Sequence, residues 1–237
     1  MNDPLNGKAW AVLQGDCLDL MPSLPDGCVN AVITDPPYGL GDLWQGGGKK
    51  NNQASWTFDP KEAKAWDENT HPGVLMLPSL GVPTCIWGGN YYPLPPQRCW
   101  LIWDKKQNDN FTTGQAELAW CNVSRPIRVF RFAQCEFASE PGKKQHPTQK
   151  PLALMEWCIR MMRIPEGSLI LDPYCGSGTT GVAAMRLGMR FLGIEISSAY
   201  CDIARARIAE AAAQPRLDFD APEQAPAPKY EQGGLAL

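Results

Sequence analysis

Ala31-Val32-Ile33-Thr34-Asp35-Pro36-Pro37-Tyr38-Gly39 joins an apolar run to a corner of unusual composition. The run has the length and β-branched content of a buried strand. Asp-Pro-Pro-Tyr then places a carboxylate, two imide carbonyls with no competing N–H and an aromatic ring at its end. Each proline fixes its own φ and biases the residue before it toward extended backbone, so the Pro36 carbonyl is expected to point into a cleft and not into a ladder. Such a corner suits a planar group carrying an NH2. Taken alone, Asp-Pro-Pro reads as a turn that ends a strand. A second stretch, Leu171-Asp172-Pro173-Tyr174-Cys175-Gly176-Ser177-Gly178-Thr179-Thr180, changes that reading by pairing with the first.

Outward from this corner the pattern is that of a parallel sheet. Residues 8 to 15 read as a strand, Cys17 to Leu24 as a short amphipathic helix and Val29 to Thr34 as the next strand, a β-α-β unit. Further strands are expected at 84–87, ending in Gly88-Gly89-Asn90, and at 99–103, ending at Asp104-Lys105. Glu117 to Cys121 and Ile127 to Phe132 are expected to pair as an antiparallel hairpin at the sheet edge. Residues 60–80 hold helix-like pieces interrupted by Pro72 and Pro78. Pro151 sits where an N1 proline belongs and opens a helix with Leu152, Met155, Cys158, Ile159 and Met162 on one face. A strand at 168–171, a helix at 180–187, a strand at 190–196 and a helix at 198–212 complete the reading.

The chain has 237 residues, of which 44% are hydrophobic, enough for one α/β domain. Its formal charge of −3 is uneven: nine Lys/Arg against five Asp/Glu from Arg98 to Lys150, two against four from Pro215 onward. Nine cysteines without a C-x-x-C pair, and two histidines, support neither a zinc site nor a disulfide framework. No signal-peptide pattern or membrane-length apolar run is present, and the expectation is a cytoplasmic protein with reduced thiols. Residues 1–213 read as a single domain. Within it, polar, Gly-rich residues from 39 up to 66 read as a mobile loop, and the Pro/Ala/Glu-rich residues 214–237 read as a disordered tail.

Gly176-Ser177-Gly178-Thr179-Thr180-Gly181 is a literal G-x-G-x-x-G between a strand and a helix, with Glu195 ending the next strand. By itself it reads as a dinucleotide fingerprint. Asp172, however, would repel a pyrophosphate, and the residues that follow are too few for a second dinucleotide-binding half. A zwitterionic ligand such as S-adenosylmethionine removes the first objection. Its ammonium can use Asp172, its ribose Glu195, and the glycines let it approach the backbone. Strands from earlier in the sequence remove the second objection by completing the sheet around one crevice.

The chain resembles the amino-group DNA methyltransferases of the permuted β group, in which the catalytic motif precedes the cofactor motif. The resemblance spans about residues 10 to 212. It rests, in order, on Gly15-Asp16, Asp35-Pro36-Pro37-Tyr38-Gly39, Trp87-Gly88-Gly89-Asn90, His146-Pro147-Thr148-Gln149-Lys150-Pro151, Asp172 to Thr180 and Gly193-Ile194-Glu195. It implies a Rossmann-like methyltransferase fold, a mostly parallel seven-stranded sheet with an antiparallel edge hairpin and permuted motif order.

It also implies that Asp35 and the Pro36 carbonyl, in a corner stiffened by Pro37, accept from the exocyclic amine of a base, with Tyr38 stacking on the base once it has left the duplex. Asp16, with Cys17 beside it, is expected near the cofactor adenine, and Glu195 at the ribose. Asp172, Tyr174, Gly176, Ser177, Gly178 and Thr179 form the floor, and His146, Thr148 and Lys150 face the methionine carboxylate. Double-stranded DNA is the implied partner, with Lys49, Lys50, Arg125, Arg128, Arg131, Lys143 and Lys144 as phosphate contacts. Trp44 and Trp56 lie on the mobile loop. Residues 122–146 form a short target-recognition region, and a symmetric homodimer is expected to supply the missing surface. Adenine N6 is the expected acceptor, because Asp and not Ser precedes Pro-Pro-Tyr; cytosine N4 shares the chemistry. A non-catalytic DNA-binding module, an RNA or protein-glutamine acceptor and a dinucleotide oxidoreductase are the other readings. Carbon-5 methylation of cytosine requires a thiolate that follows proline in the enzymes concerned, and no Pro-Cys pair occurs.

Overall fold

Strands dense in β-branched and aromatic residues occupy the middle of the protein. In the computed structural model, which describes residues 3–41, 67–107, 114–133 and 149–214, β2 (Ala31–Thr34), β3 (Thr84–Trp87) and β7 (Leu169–Asp172) are buried at every position. Such strands need cover on both faces, as in a parallel sheet. They are joined by β1 (Trp10–Gln14), β4 (Cys99–Asp104), β5 (Ala116–Cys121), β6 (Arg128–Arg131) and β8 (Arg190–Glu195) in one eight-stranded sheet of order β1-β8-β7-β2-β3-β5-β4-β6. The run from β1 to β3 is parallel throughout.

The two faces follow the period-two alternation of the strands. Ile33, Trp87 and Phe191 point to a core closed by α2 (Leu152–Met162), α3 (Thr179–Arg186) and α4 (Ser198–Ala212) through Met155, Ile159, Ala183 and Ile208. Val32, Ile86, Leu171 and Leu192 point to the other core. There Cys17 of α1 (Cys17–Leu20) and Val74 and Leu77 of the 3₁₀ segment Pro72–Leu80 cover them. No helix among the described residues is long and apolar enough to cross a membrane.

Two expectations are corrected. The sheet has eight strands and not seven, and 117–121 does not pair with 127–132 at an edge. β5 lies between β3 and β4, antiparallel to both, while β6 crosses β4 and pairs parallel to it from outside. Burial explains the exchange. Ala119, Trp120 and Cys121 are fully buried and need a neighbour on each side, whereas three of the four residues of β6 are exposed, as suits an edge. Local chemistry also shifts one helix end and one helix start. The helix expected over 17–24 becomes 3₁₀ at Met21–Ser23, where Pro22 removes a donor, and Pro151 is the residue before α2, not its first turn. The loop expected over 39–66 falls outside the described residues from 42 on, as does the tail from 215.

The register decides where the site forms. Val32 pairs with Leu171 and Asp172 with Gly193, so the carboxyl ends of β2, β7 and β8 are side by side. The chain leaves β7 toward β8 and leaves β2 toward β3. The crevice between them is the switch point at which open α/β sheets bind ligands.

Candidate active site

Asp35 leaves β2 at this crevice. Its Oδ1 accepts from Tyr38 Oη at 2.7 Å, and its Oδ2 faces Lys150 Nζ at 2.6 Å. The Pro37 carbonyl accepts from Tyr92 Oη, and the amides of Tyr38 and Gly39 both donate to Asp67 Oδ1. Side chains thus hold the corner where the prolines leave no ladder bonds. The Tyr38 ring rests on Gly88, where φ is +65° and a Cβ would come within 2.1 Å of the ring. It also stacks with Tyr91 at 5.2 Å between centroids and 21° between planes.

Lys150 lies on the segment entering α2 and is the hub of the corner. Its ammonium contacts Asp35 Oδ2, Glu117 Oε2 at 3.0 Å and Tyr38 Oη at 3.0 Å. Glu117 Oε1 in turn faces Lys105 Nζ at 2.6 Å. Burial raises the Asp35 carboxyl while Lys150 pulls it back, leaving it above the usual range. Burial also opposes the charge of Glu117, but the two ammoniums win and hold it down at about 2. Desolvation works against the Lys150 ammonium, and the two carboxylates raise it nonetheless.

Across the cleft, Asp172 is held by no cation among the described residues. Thr34 Oγ1 donates to its Oδ1 and Thr180 Oγ1 to its Oδ2, each at 2.6 Å, and the Tyr174 amide adds a bond of 3.2 Å. Burial lifts its carboxyl to about 6, against these bonds. Beyond it, Glu195 accepts from the amides of Gly176 at 2.7 Å and Ser197 at 2.9 Å, which ties the glycine loop to β8. Gly178 opens α3 at φ +81°, with Ala204 where a Cβ would go. From α4, Arg207 Nη1 donates to the carbonyl of Ser177 and to its Oγ at 2.9 Å, bracing the loop from below.

Asp16 caps α1 by accepting from the Leu18 amide at 2.8 Å, beside the end of β8. His71 bridges it to the loop, with Nε2 at 3.7 Å from Asp16 Oδ1 and Nδ1 at 2.7 Å from Tyr174 Oη. Cys17 Sγ lies 3.8 Å from the same Nδ1. Asp16, Cys17 and His71 are close enough to suggest a metal set. In the structure His71 Nδ1 faces Tyr174 Oη and Cys17 Sγ, and Nε2 faces Asp16.

A solvent-open cleft runs from Asp35 and Lys150 to Asp172, Tyr174, Gly176 and Thr179. The structure therefore gathers Asp35, Tyr38, Lys150 and the 172–179 loop at one cleft, with Asp16, Cys17 and Glu195 at the neighbouring strand ends. Arg128 and Arg131 lie elsewhere, exposed on β6, where Arg131 Nε faces Asp104 at 3.4 Å. Arg125 sits in the β5–β6 connection, its Nη1 at 3.8 Å from Met161 Sδ. Lys49, Lys50, Lys143, Lys144, His146 and Thr148 fall outside the described residues, as do Trp44 and Trp56. Sequence reading missed Glu117, Lys105, Asp67, His71 and Arg207. For Glu117 a signal existed: a carboxylate inside the apolar strand Ala116–Cys121.

Residues 48–206 match a family model described as DNA methylase, of the N6/N4 type. The Type II methyltransferase M.HinfI of Haemophilus influenzae is 25% identical over 261 aligned positions, covering 89% of this chain and 71% of the relative. M2.DpnII of Streptococcus pneumoniae is 55% identical over 64 residues, 27% of this chain and 24% of its own length. Among solved structures, the S-adenosyl-L-methionine complex of TTHA0409 from Thermus thermophilus aligns with a TM-score of 0.52 at 20% identity, covering 88% of this chain and 96% of that one. The cytosine-N4-specific PvuII DNA methyltransferase aligns at 0.55 and 16% identity, over 89% and 87%. Both structures speak for the fold.

Proposed function

The chain belongs to the DNA methylase family of the model it matches, and from this premise we propose that it transfers a methyl group from S-adenosylmethionine to the N6 amine of an adenine flipped out of double-stranded DNA. The observation that carries this reading is the meeting of two elements at one cleft. Asp35 and the 172–179 glycine loop face each other across it, and Thr34 joins their bases through its bond to Asp172.

The residues present fit S-adenosylmethionine. The loop residues Tyr174, Gly176, Ser177 and Thr179 line the open cleft beside Asp172, and the donors and acceptors there suit a zwitterion bearing a ribose. Asp172 and Tyr174 would face its methionine end, Glu195 and Asp16 its ribose and adenine. Gly176, Ser177 and Thr179 would form the floor under it. When bound, it supplies an electrophilic methyl whose bonding pair returns to sulfur. At the other end of the cleft, the exocyclic amine would donate to Asp35 and the Pro36 carbonyl. Two acceptors on its hydrogens favour a pyramidal nitrogen and free the lone pair that ring conjugation otherwise holds. Once methylated, the nitrogen carries a positive charge and gives one proton to Asp35, whose raised affinity for protons suits it to that step.

Lys150 and Tyr38 occupy both oxygens of Asp35 in this structure, so at least one must yield to the amine. Tyr91 likewise covers the Tyr38 face on which a base would stack. We read residues 1–213 as one catalytic domain with permuted motif order, because the Asp35 corner precedes the glycine loop in the chain. Lys49, Lys50, Arg125, Arg128, Arg131, Lys143 and Lys144 are proposed phosphate contacts, and His146 and Thr148 are proposed to meet the methionine carboxylate, while Lys150, whose N–H bonds go to Asp35, Glu117 and Tyr38, holds the corner instead. A homodimer with a short recognition region at 122–146 would complete the DNA surface. The choice of adenine follows from Asp, not Ser, before Pro-Pro-Tyr.

The reading is tested by incubating purified protein with labelled S-adenosylmethionine and unmethylated DNA of mixed sequence, then separating the digested nucleosides by mass. N6-methyladenine is expected. N4-methylcytosine would keep the mechanism and overturn the base, and no methylated nucleoside despite cofactor binding would overturn the reading.

A further inference from the structure

Glu117 is a carboxylate in the interior of a sheet, opposite Trp103 on β4, and it is neither part of the Asp-Pro-Pro-Tyr corner nor of the glycine loop. Taking such a group out of water is costly, and a buried ion pair is weak evidence for stability. Both of its oxygens are nevertheless engaged with cations, Oε1 with Lys105 and Oε2 with Lys150, and Tyr38 Oη lies 3.2 Å from Oε2. Lys105 is fixed in turn, since its amide donates to the Gln115 carbonyl and closes the β4–β5 hairpin. The four charges of Asp35, Lys150, Glu117 and Lys105 sum to zero. The three N–H bonds of Lys150 are all used, on Asp35, Glu117 and Tyr38.

We propose that Glu117 is a positioning residue for the transfer: it gives Lys150 a second carboxylate to hold, so that the ammonium can release an oxygen of Asp35 to the acceptor amine without leaving the corner. This rests on the reading of Asp35 as the amine acceptor. Without Glu117, Lys150 has Asp35 as its one anionic partner and ties up the lone pairs that the amine needs. Lys105 limits the pull of Glu117 and so keeps Lys150 shared between the two carboxylates. Among the described residues, the charged and titratable groups facing Asp35 are Lys150 from the α2 entry, Glu117 from β5, Tyr38 from its own corner, Tyr92 after β3 and Asp172 from β7. Lys105 and Asp67 form the next layer.

Two substitutions in the full-length protein push the shared ammonium in opposite directions. Glu117→Gln removes the competing anion, so Asp35 binds Lys150 more tightly and is less basic. Lys105→Met leaves Glu117 with Lys150 alone, draws the ammonium away and makes Asp35 more basic. The titration of the Asp35 carboxyl is followed by carbon NMR on aspartate-labelled protein, assigned with Asp35→Asn, and the pH dependence of kcat is measured with saturating cofactor and DNA. The expected result is an Asp35 midpoint, and an acid limb of kcat, shifted down in Glu117→Gln and up in Lys105→Met. In Glu117→Gln, kcat should fall about tenfold or more with cofactor affinity unchanged. Equal midpoints in all three proteins, shifts of the same sign in both variants, or a kcat unchanged in Glu117→Gln would overturn the proposal, since loss of turnover at unchanged cofactor affinity is what a merely structural role would not give. The NMR arm needs no turnover. A wild-type protein that binds cofactor but methylates no DNA would defeat the functional reading, while the Asp35 midpoints would still decide the role of Glu117.

Discussion

Asp35, half-buried, and Asp172, fully buried, are carboxylates on opposite walls of one cleft, and they are held by different means. Asp35 is held by an ammonium and a phenol, within a chain of four charges that ends at Lys105. Asp172 is held by two threonine hydroxyls and an amide, and burial raises its affinity for protons against the pull of these bonds. The first arrangement is made of partners that can be exchanged for the donors of a substrate. The second is a fixed floor whose strand-to-helix bonds define the loop. One cleft therefore combines a site that must open with a scaffold that must not.

Removing the hub should separate the two walls most sharply. Lys150→Met leaves the half-buried Asp35 and Glu117 without their shared cation and should cost about 3 kcal/mol of stability, the low end for buried pairs, read as a lower denaturant midpoint. A loss below about 1 kcal/mol would mean that the corner is not held by charge.

The pH dependence of stability should run in opposite directions on the two walls. The carboxyl of Asp172, about 6 when folded against an ordinary 3.8, holds more protons in the folded state, so its contribution declines as pH rises through this window, by about 3 kcal/mol in all. Glu117, about 2 when folded against 4.5, contributes above the ordinary value and loses that contribution as pH falls toward 2. Urea midpoints of wild type and Asp172→Asn across about pH 4 to 7 check the first claim. The variant should gain on the wild type as pH rises, and parallel curves would contradict it.

Smaller effects sharpen the same contrast. Gly88→Ala places a methyl group into the Tyr38 ring at a left-handed backbone position, and should cost about 2 kcal/mol and disturb the corner alone. Thr180→Val deletes one of the two hydroxyls on Asp172, and should cost about 1 kcal/mol while raising the proton affinity of Asp172 further. Thermal or chemical unfolding of each variant measures both.

The floor was more legible in the sequence than the corner. Strand, glycine loop and helix from Leu169 to Arg186 are contiguous, so their order along the chain is their order in space. The Asp35 corner depends on Asp67, Lys105, Glu117 and Lys150, which come from four separate segments, and no spacing rule joins them. The exchange of β5 and β6 was illegible for a related reason. Each reads as a strand by itself, and only the burial of Trp120 against the exposure of Arg128 and Arg131 decides which is interior. His71 gave no signal, because its partners Asp16 and Tyr174 are distant in the chain.

The central claim is that Asp35 serves the acceptor and the glycine loop serves the cofactor. Asp35→Asn tests it most directly, with S-adenosylmethionine affinity measured by calorimetry and single-turnover methyl transfer to DNA measured on the same preparation. The account predicts an affinity within about twofold of the wild type and a transfer rate lower by about a thousandfold. Transfer within about tenfold of the wild type, or loss of cofactor affinity in step with transfer, would contradict it.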